Sequence, residues 1–358
     1  MAEDLQKIAN TSFLLSRNLH YLRVERALIA RYPYDDLSRN LTQTLSETRL
    51  TWFQTNYTIH RKMQNRLSFI RQEREGAFYG AWHGVDAADL YDAGALFLPK
   101  SSEALEMTLA MLSQVLKPGA TLVLVGENDA GIKAAKKSLE SRIGPVYHSD
   151  SARRCGLFCA RFTQEPAQTK LDDWAARSSV EVGGKSIEIV SLPGVFSHGR
   201  LDEGTRFLLN AGVPDPTGRI LDMGCGCGVI GASKLAHYPD ASADMVDSDA
   251  LAIEAAKRTC AANGLEEVGI WPSDLYSDIV GEYAMIISNP PFHVGKATDY
   301  LVTRLMTLEA PAHLQKGGEF RIVANRFLNY GRYFQEAFGE YRVVAENRSY
   351  IVYQAQRT

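Results

Sequence analysis

Residues 220–231 read ILDMGCGCGVIG: a short apolar run, then glycines at 224, 226 and 228, then a helix-forming stretch. No other feature limits the fold as tightly. Glycines at two-residue intervals let a backbone turn sharply between strand and helix and come close to a ligand, where side chains would block the approach. The text around the turn, TGRILDMGCGCGVIGASKLAHYPDASADMVDSDALAIEAAKRTCAANGL, alternates short apolar strands with helical stretches. That alternation is the signature of parallel βαβ units. By itself the glycine turn is compatible with NAD, FAD or S-adenosylmethionine.

Asp222, two residues before the first glycine, separates these options. A dinucleotide presents a pyrophosphate to the helix N-terminus, and an acid at that point would repel it. A sulfonium cofactor carries a positive sulfur and an α-ammonium, which a carboxylate favours. The next strand, ADMVDSD, ends at Asp247, about twenty residues on, where an acid can accept both ribose hydroxyls. One unit later WPSDLYSD places Asp274 at a third strand end, suited to accept from an adenine amino group.

A fourth strand runs into IISNPPFHVG, residues 286–295. Two prolines cannot continue a strand interior, and they hold the backbone in a fixed extended turn. An amino nitrogen that takes up a methyl group needs its N–H bonds directed at acceptors, so that its lone pair faces the methyl carbon. The side-chain oxygen of Asn289 and the carbonyl of Pro290 are suited to be those acceptors, with Pro291 fixing the turn and Phe292 offering a flat face for a planar substrate. His293 is read as a loop residue rather than a base, and Cys225 and Cys227 as small space-fillers in the turn.

The set LDMGCGCGVIG, VDSD, SDLYS and NPPF resembles class I S-adenosylmethionine-dependent methyltransferases that modify amino groups. SARRCGL at 151–157, SLPGVFS at 191–197, LDEGTRFLL at 201–209 and RIVAN at 321–325 extend the likeness over roughly residues 10–355. With them the whole chain resembles the bacterial 16S ribosomal RNA guanine-N2 methyltransferases of the RsmC type. The resemblance implies an α/β chain of two tandem Rossmann-like class I methyltransferase domains, the N-terminal one degenerate. It implies S-adenosylmethionine as cofactor with no metal, and guanine 1207 of the small-subunit RNA as target, reached by base flipping or from an exposed nucleotide. Carried over by position, cofactor binding falls on Asp222, Gly224, Gly226, Gly228, Asp247, Asp274 and Asn289, and catalysis on Asn289, Pro290, Pro291 and Phe292.

The rhythm of the chain agrees with a duplication. DAGALFLPKSSEALEMTLAMLSQVLKPGATLVLVGEN runs strand, proline, helix, Pro-Gly turn, strand; YAMIISNPPFHVGKATDYLVTRLMTLEAPAHLQKGGEFRIVAN repeats that order. The first copy has no glycine-rich turn and offers Leu98-Pro99-Lys100 where the second has Asn-Pro-Pro. We expect a degenerate domain over 1–163, a linker over 164–176 around QEPAQTK, and a catalytic domain over 177–358. Five cysteines without zinc or disulfide spacing, no basic leader and no long apolar run read as a cytoplasmic protein without a membrane segment, and monomer is the default expectation.

The net charge of −3 argues against a surface that coats nucleic acid everywhere, so RNA contact must be local. Between Arg49 and Arg74 lie Arg61, Lys62, Arg66 and Arg71, interleaved with Trp52, Phe53, Tyr57 and Phe69. Cations neutralise phosphates and aromatic rings stack on splayed bases, so Arg61, Lys62 and Arg66 are candidate substrate contacts beside Phe292. A solvated helix face over core aromatics explains the same letters. Arg153 and Arg154 form a second basic point. Rival readings keep the methyltransferase and change its target to 23S ribosomal RNA guanine, release-factor glutamine or DNA adenine. Others make the chain a non-catalytic RNA-binding assembly factor, or an NAD-dependent oxidoreductase, which Asp222 disfavours.

Overall fold

A computed structural model describes residues 8–70, 75–211, 218–291 and 297–358. The chain divides into two compact units, one up to Trp174 and one from Ala175 on. In the first, strands β1 (Arg26–Ala30), β2 (Arg49–Gln54), β3 (Glu75–Tyr79), β4 (Tyr91–Phe97), β5 (Leu116–Glu127), β6 (Val146–Ala152) and β7 (Cys155–Arg161) form one sheet in the order β3-β2-β1-β4-β5-β7-β6. The second opens with a hairpin of β8 (Ala176–Val182) and β9 (Lys185–Ser191). It then builds β10 (Arg219–Met223), β11 (Ser242–Asp247), β12 (Gly269–Pro272), β13 (Tyr283–Ser288), β14 (Leu314–Asn325), β15 (Arg342–Glu346) and β16 (Tyr350–Gln356) into a sheet ordered β12-β11-β10-β13-β14-β16-β15.

The two orders match position for position. In each, only the strand seventh in sequence runs antiparallel to its neighbours, β7 against β5 and β6, and β16 against β14 and β15. Tandem duplication of one Rossmann-like domain is therefore visible in the topology. Each sheet is buried on both faces, as parallel strands flanked by helices require. Ala27 and Ile29 of β1 enter one core cluster and Leu28 and Ala30 the other. Ile220 and Leu221 of β10 separate in the same way.

The register shows what the first copy lost. Both β4 and β13 begin on a buried tyrosine, Tyr91 or Tyr283, followed by the same register shift against the next strand. From there Ile29, which pairs with Ala95, stands where Asp222 pairs with Ile287. Through the β1–β2 and β10–β11 pairings, Gln54 occupies the place of Asp247. Two residues past each pair, Phe97 takes the place of Asn289, so the register aligns Phe97-Leu98-Pro99 with Asn-Pro-Pro, one residue earlier than the Leu98-Pro99-Lys100 expected from the sequence. The turn after β1 is kept, with Arg31 at φ 57° and its N–H on the Phe53 carbonyl, where Gly224 has φ 69° and its N–H on Val246. Arg31-Tyr32-Pro33 thus replaces Gly224-Cys225-Gly226, and the buried Tyr32 ring packs edge-on against Trp52.

Residues 164–176 ride on the first unit for most of their length. Gln114, on the helix Ser102–Val115, donates to the carbonyls of Ala167 and Thr169 at 2.7 and 2.5 Å, and the Ser113 hydroxyl accepts from the Ala167 N–H. A 3-10 turn over Leu171–Trp174 follows before β8.

Candidate active site

The site gathers at the C-terminal ends of β10, β11, β12 and β13, where helix N-termini and strand ends meet in an open α/β sheet. Gly224, Gly226 and Gly228 all have left-handed φ, at 69°, 54° and 77°. Gly224 and Cys225 hang from the Val246 carbonyl, and Gly228 caps the helix Val229–His237. Around Gly224 and Gly226 an added Cβ would meet nothing within 4 Å, so the backbone there borders open space. Gly228 has a packing reason instead, because a Cβ would lie 3.0 Å from that of Ala256 on the next helix.

Asp222 is fully buried. Its Oδ2 accepts from the Gly231 N–H at 2.9 Å, capping the helix Val229–His237 from the preceding strand, while its Oδ1 has no partner among the described residues. Burial above all, opposed by the Gly231 hydrogen bond and aided by nearby Asp247, raises its carboxyl to about 7. Asp244, another buried acid of this sheet, takes the Tyr283 hydroxyl at 2.9 Å and the Arg219 guanidinium at 2.5 Å. A structural carboxylate here finds partners, and the bare oxygen of Asp222 is the mark of a ligand site.

Asp247 ends β11 with its carboxylate aimed by backbone donors, Gly226 N–H on Oδ2 at 3.0 Å and Asp249 N–H on Oδ1 at 2.9 Å. Burial raises its carboxyl also, the hydrogen bonds opposing. β12 pairs Pro272 with Asp247, and Ser273 N–H reaches the Asp247 carbonyl, which carries Asp274 to the same rim, exposed to solvent. The three acids and the glycine turn therefore share one end of one sheet. They fit a cofactor with cationic and ribose groups: one buried bare oxygen, one preoriented carboxylate and a backbone cradle. Among the described residues no group of three or more His, Cys, Asp or Glu is placed to hold a metal ion.

Asn289 follows β13 directly, with Pro290 buried and Pro291 exposed. Its side-chain nitrogen donates to Asp202 Oδ2 at 3.0 Å and to Thr205 Oγ1 at 2.8 Å. Its Oδ1 is buried and without a partner among the described residues. Phe292 and His293 lie outside the described residues, so the stacking expected of Phe292 has no structural account. Asp202 and Thr205 were not singled out for chemistry in the sequence. The signal that could have found them is the helix-start pattern LDEGT, an N-cap acid ahead of a helical run.

Of the basic patch, Arg61 and Lys62 are exposed on the helix Tyr57–Ile70, over the rings of Tyr57 and Tyr34 at 5.6 and 5.3 Å. Arg66 is engaged within its own domain, donating to the Asp35 carbonyl and the Ser38 hydroxyl and pairing with Asp36 at 3.2 Å. Trp52 and Phe53 are core residues, 0% and 2% exposed, and cannot stack on bases. Arg153 and Arg154 form the β6–β7 hairpin turn, with Arg153 over Phe13 at 3.6 Å. Cys225 packs with Met245, Ala256 and Cys260, as a small filler would.

Fold and site together define a Rossmann-like methyltransferase with a duplicated domain. Residues 186–354 match the methyltransferase small domain family and residues 12–178 its N-terminal companion, the methyltransferase small domain N-terminal family. The ribosomal RNA small subunit methyltransferase C of Aeromonas hydrophila is 37% identical over 97% of this chain and 98% of its own length. The protein of that name from Pseudomonas aeruginosa is 42% identical over 92% and 94%. The chain belongs to the ribosomal RNA small subunit methyltransferase C family. The T. thermophilus 16S rRNA N2 G1207 methyltransferase (RsmC), solved in complex with AdoMet and guanosine, has the same fold, with a TM-score of 0.82 at 22% identity over 98% of this chain and 92% of that one.

Proposed function

We propose that this protein methylates the exocyclic N2 of a guanine in 16S ribosomal RNA, position 1207 by family resemblance, using S-adenosylmethionine and no metal. The observation that carries the reading is the Asn289 amide, whose buried oxygen is left bare at the end of β13, one strand from the bare oxygen of Asp222. When bound, the cofactor supplies an electrophilic methyl group on a positively charged sulfur. Asp222 and Asp247 would hold its cationic and ribose ends, Asp274 would accept from its adenine, and Gly224 and Gly226 would let the backbone lie against it. Asn289 Oδ1 and the Pro290 carbonyl accept the two amino N–H bonds of the target, which turns the nitrogen lone pair towards the methyl carbon. As the N–C bond formed and the methyl–sulfur bond broke, its electron pair leaving with S-adenosylhomocysteine, positive charge would grow on that nitrogen next to two acceptor oxygens, which favour the transition state over the ground state. The methylated nitrogen would then pass its extra proton to solvent.

Small-subunit RNA is supported by the full-length match to relatives named for it. The N-terminal copy would serve substrate binding and support, since its cofactor acids are replaced by Ile29 and Gln54. Arg61 and Lys62 are exposed cations of the expected patch. Among the described residues no helix is long and apolar enough to cross a membrane. In this reading the protein acts as a monomer on the 30S subunit in the cytoplasm.

The test incubates the protein and tritiated S-adenosylmethionine with 30S subunits, 50S subunits, release factors and DNA from cells lacking the enzyme. N2-methylguanosine in the 30S sample, lost in Asn289→Ala, is the expected result. Label only in 50S, protein or DNA would overturn the substrate assignment. No label anywhere despite cofactor binding would favour an assembly factor.

A further inference from the structure

We infer that Asp202 and Thr205 are positioning residues that set the orientation and polarity of the Asn289 amide. The inference rests on reading Asn289 as the acceptor facing the target amine. Asp202 is the N-cap of the helix Glu203–Asn210, its Oδ2 accepting from the Thr205 N–H at 2.9 Å. The same oxygen takes one hydrogen of the Asn289 amide, and the Thr205 hydroxyl takes the other. The Thr205 hydroxyl hydrogen points back to Asp202 Oδ2 at 3.4 Å, which leaves its lone pairs to Asn289.

This arrangement admits one amide orientation. An ionised carboxylate only accepts, so a flipped Asn289 would set its carbonyl oxygen against Asp202. With both amide hydrogens held, Oδ1 is the one valence left, and it is the buried bare atom. Thr205 is itself buried, with Asp202 and Asn289 half-buried beside it. A carboxylate on the NH₂ side also draws the amide towards the resonance form with negative oxygen. Oδ1 then becomes a stronger acceptor at the moment the target nitrogen turns positive.

Space for the lock comes from Gly204. A Cβ there would meet Asp202 Oδ2 at 3.0 Å and the Tyr350 ring at 3.1 Å. The helix that carries the clamp lies outside the glycine and Asn-Pro-Pro segments, so folding brings the two halves of the device together across sequence separations of 84 and 87.

The experiment compares wild type, Asp202→Asn, Thr205→Val, Asn289→Ala and the pairs with Asn289→Ala. Steady-state methylation of 30S subunits is measured alongside calorimetric cofactor binding and the side-chain amide resonances of ¹⁵N-asparagine-labelled protein. Asp202→Asn keeps the shape and the cap but removes the charge. We expect kcat to fall roughly tenfold for Asp202→Asn and for Thr205→Val, with KM and cofactor affinity nearly unchanged. Neither substitution should cost anything further in the Asn289→Ala background. The Asn289 NH₂ pair should shift in both variants without cofactor or RNA. Equal losses in both backgrounds would make Asp202 a stability residue, and unshifted amide resonances would overturn the clamp. A wild type inactive on 30S would sink the substrate reading instead, while the resonances still decide the clamp.

Discussion

Replacing Asp222 with Asn should stabilise the free protein at alkaline pH while disabling its site. The carboxyl stands at 3.8 in the unfolded chain and is raised to about 7 in the fold, chiefly by burial. Between those values the folded protein keeps a proton that the unfolded chain has released, so stability falls as pH rises from 4 to 7 and stays lower above it. Three units correspond to a cost of about 4 kcal/mol at pH 8 and close to none at pH 4. Asn keeps the shape and the acceptor for the Gly231 N–H but never ionises. Calorimetry of the full chain should therefore show the transition of the C-terminal unit raised by roughly 10 °C at pH 8 in Asp222→Asn, and unchanged at pH 4. The same variant should bind S-adenosylmethionine about 10- to 100-fold more weakly at pH 8, since a charged hydrogen bond is lost. A variant less stable than wild type at pH 8, or a gap that does not change with pH, would refute the reasoning.

Wild-type cofactor affinity should rise about tenfold from pH 6 to pH 8 as Asp222 ionises, with Asp222→Asn flat over that range by isothermal titration. Asn289→Ala should lower kcat at least ~100-fold while cofactor affinity stays within about tenfold, separating transfer from binding. Gly228→Ala adds a Cβ at φ 77° against Ala256, so its C-terminal unit should lose about 2–5 kcal/mol in urea melts. Arg61→Ala with Lys62→Ala should weaken RNA association and reduce the salt slope by about 2, whereas Arg66→Ala should lower N-terminal stability and leave the slope alone.

Much of this molecule is written locally. The spacing of glycines after Leu221, the acids at Asp222, Asp247 and Asp274, and the prolines after Asn289 each state a backbone geometry within a dozen residues, because turns and strand ends depend on φ and on missing N–H groups. Hydrophobic rhythm was enough to expect two copies of one α/β plan, since the pattern repeats whatever the packing. The basic stretch at 49–74 was not legible in the same way. Its letters fit a stacking surface, yet Trp52 and Phe53 lie buried on β2, one on each face of the sheet, and Arg66 is tied to the Asp35–Ser38 turn. Which side of an element faces solvent is a property of its neighbours.

Tertiary structure alone decided three things. It put Ile29 and Gln54 in the places of Asp222 and Asp247, because register is fixed by strand pairing and not by sequence distance. It left one oxygen of Asp222 bare while giving the other to Gly231, a division that depends on the helix folding back over its own strand. And it brought Asp202 and Thr205 to Asn289 from more than eighty residues away, where hydrogen-bond valence, invisible in any linear pattern, sets which atom of the amide faces the site.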